Sequence, residues 1–208
     1  MSRVILVRHG QTAWHAEGRY AGNTDVPLDE VGREQVRRVV ARLEGLDIDY
    51  VFSSPLSRCL ELAVAVASDH SLKAMVDERM REIDLGRGDG KTYKEIFEHD
   101  GELLGRWTRD PASFAVPGGE SLQDVQKRAL DWFFAASAMA PEGTVMVCSH
   151  GGPIRALIAW LVGMPLGNAF RLTVDLAAVS VVNYKGDFSN LELLNDRSHL
   201  DGLEKAIF

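Results

Sequence analysis

The sequence predicts an α/β fold with a mainly parallel sheet, helices on both of its faces and an antiparallel edge. Two patterns predict this class. Short apolar runs alternate with amphipathic helical segments, and the last two runs are separated by a short turn. Parallel strands need crossover connections, which the helical segments supply. The 208 residues are 46% hydrophobic and 25% charged, enough apolar material for a core that needs no disulfide or metal. We expect a single domain over residues 1–208.

The first half of the chain alternates strands and helices. Residues 4–7 form a β-branched apolar run that predicts a buried strand followed by a polar loop. Residues 29–43 carry apolar side chains at helical spacing. Residues 49–54 predict a second strand, and the proline that follows is well placed to open a helix over 55–68. Residues 72–76 predict a third, weaker strand.

The second half continues the alternation around one irregular segment. Its predicted elements are a glycine-rich loop at 86–90, a helix at 91–109, a loop at 110–120, a helix that starts at a Ser121–Asp124 capping box, a strand at 144–148, a helix at 153–161 and closing strands at 172–174, 179–184 and 191–194. The loop carries Phe114 and Val116, which would be unusual in an exposed linker. Residues 91–120 are therefore expected to form a lid or a substrate-contacting segment.

Charge and composition exclude several classes of partner. Twenty-three Lys and Arg against 30 Asp and Glu give a net charge of −7, which argues against a nucleic-acid binder but permits a local basic pocket. The N-terminal apolar run is too short for a signal peptide, and no apolar stretch reaches membrane-spanning length, so we expect no membrane partner and a cytoplasmic location. Cys59 and Cys148 form no CxxC pair and are expected to be buried free thiols.

Polar triplets follow two of the predicted strands. Arg8-His9-Gly10 follows the first strand and Ser149-His150-Gly151 follows the fourth. Ligands of such sheets gather at the carboxyl ends of the strands. Arg58, in the first turn of the helix after the second strand, adds a guanidinium at a helix N-terminus. Two imidazoles and two guanidinium groups at one edge predict a phosphate site.

This set of residues favours nucleophilic attack on phosphorus. Neighbouring guanidinium groups favour the uncharged form of His9, which can attack directly. Arg8, Arg58 and His150 are suited to neutralise charge on the transferring group. The leaving alcohol needs a proton from a carboxylic acid, for which Glu82 is the candidate and Asp84 the competitor. The reaction needs a neutral His9 and a protonated Glu82, so the pH–rate profile should be bell-shaped.

An ordered set of motifs resembles the histidine phosphatase superfamily, also called the phosphoglycerate mutase-like family. The motifs are Val4 to Gly10 with Gln11-Thr12-Ala13-Trp14, Gly22-Asn23-Thr24-Asp25-Val26-Pro27-Leu28 with Gly32 to Gln35, Ser53-Ser54-Pro55-Leu56-Ser57-Arg58, Arg81-Glu82 leading to Gly86, Pro117-Gly118-Gly119-Glu120-Ser121, and Ser149-His150-Gly151-Gly152. They extend over nearly the whole chain in the family's order.

The resemblance implies a role for each site residue. It implies that His9 forms a phosphohistidine, that Arg8, Arg58 and His150 bind the phosphoryl group, and that Glu82 protonates the leaving oxygen. It further implies a phosphate-binding backbone N–H at Gly151, a three-layer α/β/α sandwich, and catalysis without a metal or another cofactor.

Four further positions, within or near these motifs, are expected to affect the binding of substrate or phosphate. Thr12 and Gly22, both within the matched motifs, are expected to contact substrate. His15 stands where the family often has an Asn that helps to hold the phosphate. It is expected either to replace that Asn as a donor or to be a displaced surface ring. Asp89 stands where relatives often have an aromatic residue, and is expected to alter the rim of the pocket.

Several functions remain open within this chemistry. The compact interval from Glu82 to His150 resembles the phosphatase branch more than the mutases. The nearest resemblance is to α-ribazole phosphatases and broad-specificity phosphatases, so a small phosphate ester is the expected partner and α-ribazole 5′-phosphate ranks first. The alternatives are a phosphoglycerate mutase, a fructose-2,6-bisphosphatase-like sugar phosphatase and a non-catalytic phosphate-binding module. A metal hydrolase is disfavoured, because the chain has no HExxH motif and no paired cysteines.

Overall fold

A six-stranded mixed sheet forms the centre of the computed structural model, which describes residues 1–203 apart from the side chain of Leu104. Its strands are β1 (Ser2–Arg8), β2 (Tyr50–Ser53), β3 (Ala74–Val76), β4 (Thr144–Ser149), β5 (Val179–Lys185) and β6 (Phe188–Asp196). They lie in the order β3-β2-β4-β1-β5-β6. β1 to β4 are mutually parallel, whereas β5 and β6 are antiparallel to their neighbours. The predicted parallel sheet with an antiparallel edge is confirmed.

Helices cover both faces of the sheet. They are α1 (Ala13–Ala16), α2 (Glu30–Leu43), α3 (Ser57–Asp69), α4 (Tyr93–Arg109), α5 (Leu122–Met139) and α6 (Gly151–Leu161), with short 3-10 turns at Glu78–Met80, Gly86–Gly88, Leu166–Arg171 and Ser198–Leu200. α2 and α3 share one apolar cluster with the sheet, and α5 and α6 share another. The expected three-layer sandwich is therefore present.

Side-chain alternation in β1 explains why both faces are covered. Successive strand residues point to opposite faces. Val4 and Leu6 belong to the cluster under α5 and α6, and Ile5 and Val7 to the cluster under α2 and α3. All four side chains are fully buried. A run that is apolar at every position is what a strand between two helical layers requires.

Two local predictions differ from the structure. Residues 172–174 do not form a strand; the carbonyls of Leu172 and Val174 accept side-chain hydrogen bonds from Arg155 and Arg8 instead of strand partners. The short helix α1 was not expected. The predicted capping box does form at the start of α5, where Ser121 and Asp124 bond each other's backbone N–H groups.

Residues 91–120 form a helix followed by a loop, outside the three main layers. α4 starts with a Thr92–Glu95 capping box and is kinked at Asp100. Its buried residues Ile96 and Leu103 form a small apolar cluster with Val116 from the loop. The lid function of this segment stays a prediction.

Candidate active site

The structure brings two imidazoles together at the carboxyl ends of adjacent parallel strands. His9 follows β1 and His150 follows β4, whose last residues, Arg8 and Ser149, are paired in register. The ring centroids of His9 and His150 are 5.0 Å apart, with an angle of 59° between the ring planes. Parallel pairing of β1 with β4 is thus what places the two histidines side by side.

His9 is held in one orientation by its neighbour. Its Nδ1 lies 2.7 Å from the carbonyl oxygen of Gly10. A carbonyl can only accept, so Nδ1 carries the proton, and Nε2 carries the lone pair of the neutral ring. Burial, followed by the positive charge of Arg58, holds the pKa of His9 well below its usual 6.5. The ring is therefore a neutral imidazole with a nucleophilic Nε2.

His150 is fully buried and is positioned by the second strand and the helix after it. Its Nε2 lies 2.7 Å from Oγ of Ser54, which follows β2, and 3.4 Å from Sγ of Cys59 in α3. Burial and then Arg58 lower its pKa well below 6.5. Cys59 and Cys148 are both buried and free, as expected.

Arg58 is a fully buried cation whose orientation is fixed by a loop. It donates from Nη1 to the carbonyl of Thr24 and from Nη2 to the carbonyl of Gly22, both at 2.8 Å. These two bonds hold the guanidinium beside the histidines from the first turn of α3.

Asp89 holds that loop in turn. Its two carboxylate oxygens accept from the N–H of Gly22 at 2.7 Å, the N–H of Thr24 at 2.9 Å and the hydroxyl of Thr24 at 2.6 Å. Sequence reasoning assigned Asp89 only an effect on the pocket rim. The structure shows that it anchors the backbone from which Arg58 takes its orientation.

Arg8 brings a second guanidinium to the same place. It donates from Nη1 to the carbonyl of Val174 at 2.8 Å. Burial, followed by the charge of Arg155, lowers its pKa to about 10, so it remains a cation at neutral pH. Within the described residues, the buried Nε groups of both Arg8 and Arg58 have no hydrogen-bond partner. Unpaired buried donors are costly, and an oxyanion could satisfy them.

His15 belongs to this cluster and is not a surface ring. Its centroid is 5.1 Å from that of His9, and only 5% of the residue is exposed. Nδ1 lies 2.7 Å from the Thr12 hydroxyl, and Nε2 lies 3.4 Å from Nη2 of Arg8, a group that can only donate. Burial and then Arg8 lower the pKa of His15 to about 3. The ring is neutral and accepts from Arg8.

Thr12 and Gly22 support other site residues. Thr12 is fully buried against His15, and Gly22 accepts from Arg58. A Cβ at Gly22 would lie 2.8 Å from the carbonyl oxygen of Ile83, so the close packing requires glycine. Contact of either residue with substrate stays a prediction.

Of the two carboxylic acids considered, Glu82 lines the cavity beside the histidines. Its Oε1 accepts from the N–H of Ile83 at 2.8 Å and of Gly152 at 3.1 Å. Asp84 instead accepts from the N–H of Gly86 at 2.8 Å, which gives it a role in the turn. The backbone before and at Glu82 is fixed by Arg128, which donates to the Glu82 carbonyl at 3.0 Å.

Arg155 is a site residue that sequence reasoning missed. It lies one helical turn after Gly151 in α6, and its Nη1 would be 2.6 Å from a Cβ at Gly151. Its Nε donates to the carbonyl of Leu172 at 2.9 Å. The signal was available, because residues four apart share a helix face. Arg155 thus adds a third guanidinium beside the N-terminus of α6.

A cavity of about 330 Å³ opens next to these groups. Arg8, His15, Glu82 and Gly151 line one end, and mostly apolar side chains line the remainder. His9, with 2% of its surface exposed, lies alongside that end. Among residues 1–203, no group of three or more His, Cys, Asp and Glu residues is arranged to hold a metal ion. Nor does any helix there combine the length and apolar character needed to cross a bilayer.

Comparison with known proteins identifies the family. Residues 4–197 match the histidine phosphatase superfamily (branch 1). The chain is 32% identical over 200 residues to phosphoserine phosphatase 1 of Hydrogenobacter thermophilus, covering 96% of this chain and 95% of that one. It is 29% identical over 204 residues to adenosylcobalamin/alpha-ribazole phosphatase of Escherichia coli, covering 98% and 100%. The solved structure of Bacillus stearothermophilus YhfR is similar, with a TM-score of 0.89 and 30% identity, covering 97% and 100%.

The chain therefore belongs to branch 1 of the histidine phosphatase superfamily. It is a phosphomonoesterase of that family, with the family's phosphoglycerate mutase-like fold.

Proposed function

We propose that this phosphomonoesterase hydrolyses a small phosphorylated metabolite through a phosphohistidine at His9. The observation that carries the proposal is the bond from His9 Nδ1 to the Gly10 carbonyl, which leaves the Nε2 lone pair free in a neutral ring. That ring stands among Arg8, Arg58 and His150, groups suited to hold a phosphoryl group.

In the first step, His9 Nε2 attacks phosphorus. The new N–P bond forms as the ester P–O bond breaks, and the leaving alkoxide oxygen takes the proton of the Glu82 carboxyl group. Glu82 is supported in this role by its place on the cavity wall. Arg8, Arg58, His150 and the Gly151 N–H stabilise the charge on the phosphoryl oxygens as it redistributes.

In the second step, water replaces the alcohol. The Glu82 carboxylate accepts a proton from water, whose oxygen attacks phosphorus while the N–P bond breaks. Inorganic phosphate leaves, and His9 is again neutral with a free Nε2. No metal or other cofactor takes part, so full activity after exhaustive chelation is expected, and loss of activity that zinc restores would favour a metal hydrolase.

Among named substrates, α-ribazole 5′-phosphate ranks first. Its support is the motif resemblance together with the printed name of the Escherichia coli relative. Phosphoserine is a second candidate, favoured by the name of the Hydrogenobacter relative. A mutase would return the phosphoryl group to substrate, so isomerisation of 3-phosphoglycerate without phosphate release would contradict hydrolysis.

A phosphate-release screen tests the proposal. The panel is α-ribazole 5′-phosphate, phosphoserine, 3-phosphoglycerate and fructose 2,6-bisphosphate. His9→Ala should lower kcat at least about a thousandfold, whereas His99→Ala, on the exposed face of α4, should match the wild type. Unchanged activity of His9→Ala in a clean preparation would refute the mechanism, and absence of phosphate release by the wild type from every ester would favour a non-catalytic phosphate-binding module.

Two further variants test the identity of the acid. General-acid catalysis typically contributes about 100- to 10,000-fold, so Glu82→Gln should lower kcat by that factor for alkyl phosphates. Asp84→Asn should have a much smaller effect, because Asp84 serves the turn at Gly86. If Asp84→Asn were the more damaging variant, the acid would be wrongly assigned.

A further inference from the structure

The cavity beside the proposed phosphoryl site has two ends of opposite character. Its cationic end contains Arg8 and Arg155, which approach Gly151 from two sides. The Arg155 Nη1 and the Arg8 guanidinium carbon would lie 2.6 and 3.7 Å from a Cβ placed there. Both guanidinium groups thus lie at the N-terminus of α6, and that of Arg155 also borders the apolar end of the cavity, with its central carbon 5.9 Å from the centroid of the Phe170 ring.

The far end of the cavity is an apolar wall, lined by aliphatic and aromatic side chains. It is formed by Ile96, Leu103 and Trp107 of α4, Val116 of the following loop, and Phe170 from the 3-10 turn Leu166–Arg171. The rings of Trp107 and Phe170 meet edge to face with centroids 5.0 Å apart. Leu103 and Trp107 are four positions apart after the kink at Asp100 and share one helix face, and Ile96, before the kink, packs into the same apolar cluster.

Arg19, which also lines the cavity, is already paired. Arg19 donates to Glu17 at 2.8 Å, to Glu95 at 3.1 Å and to the Gly90 carbonyl at 2.9 Å. Among the described residues that line the cavity, Glu82 is the one acid, and the reaction uses it as the proton donor. The wall thus offers no second carboxylate for the ammonium group of an amino acid.

We propose that the leaving alcohol of the natural substrate carries an apolar or aromatic body, which packs against Trp107, Phe170 and the apolar face of α4. This inference rests on the proposed function and deepens it, since it assigns the substrate class by its alcohol. Burying apolar surface against such a wall is favourable, whereas an unpaired ammonium or a row of hydroxyls would lose hydrogen bonds to water.

Three alkyl phosphates separate the effect of the body from the chemistry of the leaving oxygen. They are ethyl phosphate, 3-phenylpropyl phosphate and O-phosphoserine, all esters of primary alcohols. We expect kcat/KM for 3-phenylpropyl phosphate to exceed the values for the other two by at least about tenfold. Equal values, or a preference for O-phosphoserine, would overturn the inference.

Variants of the wall give a second readout, the ratio of kcat/KM for 3-phenylpropyl phosphate to that for ethyl phosphate. Trp107→Ala and Phe170→Ala should each lower this ratio about tenfold, and Trp107→Phe, which keeps an aromatic ring, should retain most of it. Phe97→Ala is the matched control, because Phe97 lies on the same helix but is 61% exposed. A ratio that survives both alanine substitutions would contradict the assignment of this wall.

The two proposals fail in different ways. If no ester releases phosphate, or if His9→Ala keeps full activity, the proposed function is wrong. If the esters are hydrolysed through His9 without preference for the phenyl group, the function stands and only the substrate class is wrong.

Discussion

The protonation states of the site histidines are set by burial and by guanidinium groups that are held in fixed positions. His9 and His150 are neutral because they are buried beside cations, and those cations are themselves oriented by backbone carbonyls. The arrangement favours a dianionic group, since the guanidinium groups lower the proton affinity of the rings and attract the phosphate at the same time.

The lowered pKa of His9 predicts a pH–rate profile. In kcat/KM, which reports the free enzyme, the acid limb due to His9 should lie well below pH 6.5. An ordinary histidine would be about 90% protonated at pH 5.5. We therefore expect activity to persist there once the titration of the ester's own phosphate, near pH 6, has been subtracted. A limb at pH 6.5 that is the same for every ester would contradict a neutral, buried nucleophile.

Asp89 should act on catalysis through Arg58, although it lies behind the loop. Asp89→Asn weakens the anchoring of Gly22 and Thr24, whose carbonyls orient Arg58. We expect kcat/KM to fall about tenfold and competitive inhibition by inorganic phosphate to weaken similarly. The measurement is a pair of inhibition constants, with Asp187→Asn in the exposed β5–β6 turn as the control. Unchanged inhibition by phosphate would show that Asp89 has no role in positioning Arg58.

The sequence predicts the main groups of the site, but not the contacts that hold them in position. The main groups were predictable because each follows an apolar strand or lies in a recognisable motif. Asp89 and Arg128 were not assigned their roles, because their partners lie 46 to 67 positions away along the chain. Only tertiary structure brings such pairs together.

At the scale of elements, the start of α6 sets the position of the proposed acid. Gly151 and Gly152 allow the helix terminus to approach the site, and the N–H of Gly152 donates to Glu82 at 3.1 Å. A Cβ at Gly152 would lie 2.4 Å from Glu82 Oε1, so any side chain there must displace the carboxyl group.

Gly152→Ala should therefore impair proton donation. We expect kcat for alkyl phosphates to fall at least about tenfold, with a smaller loss for 4-nitrophenyl phosphate, whose leaving group needs less protonation. Kinetics on the two esters provide the test. Gly167→Ala is the matched control, because a Cβ there meets no atom within 4 Å. Equal losses on both esters would indicate a general distortion instead of a displaced acid.

Most elements were predictable because their patterns are set by burial. Residues 4–7 of β1 are all apolar because they lie between two helical layers, and α2 shows the spacing of a helix with one buried face. The strand predicted at residues 172–174 was wrong, because apolar side chains there suggest a strand whereas the carbonyls of Leu172 and Val174 accept hydrogen bonds from arginines. The four-residue helix α1 is too short to produce a periodic pattern.

At the scale of the whole molecule, burying neutral histidines makes stability depend on pH. Their pKa values are lower in the folded chain than in the unfolded one, so the unfolded state binds more protons as the pH falls below about 6.5. Stability is therefore fully present above that pH and is lost progressively in acid. The window for His15 extends from about 6.5 down to its folded pKa of about 3.

This linkage gives a stability prediction for His15. Each pH unit below about 6.5 costs about 1.4 kcal/mol per such ring, or about 2 kcal/mol at pH 5. The measurement is the free energy of unfolding by urea at pH 7 and at pH 5. Its decrease between the two pH values should be smaller in His15→Gln than in the wild type by about 2 kcal/mol. His99→Gln, at an exposed position, should keep the wild-type loss. If His15→Gln and the wild type lose the same free energy, the ring is not held neutral in the folded state.

Trapping the phosphorylated enzyme tests directly whether His9 is the nucleophile. Rapid alkaline quenching during turnover, followed by peptide mass spectrometry, should find one phosphoryl group on the peptide that contains His9, with the acid lability of a phosphohistidine. The label should be absent from His9→Ala and present in His99→Ala. A phosphoryl group on His150, or active turnover without any labelled histidine under single-turnover conditions, would contradict a phosphohistidine intermediate at His9.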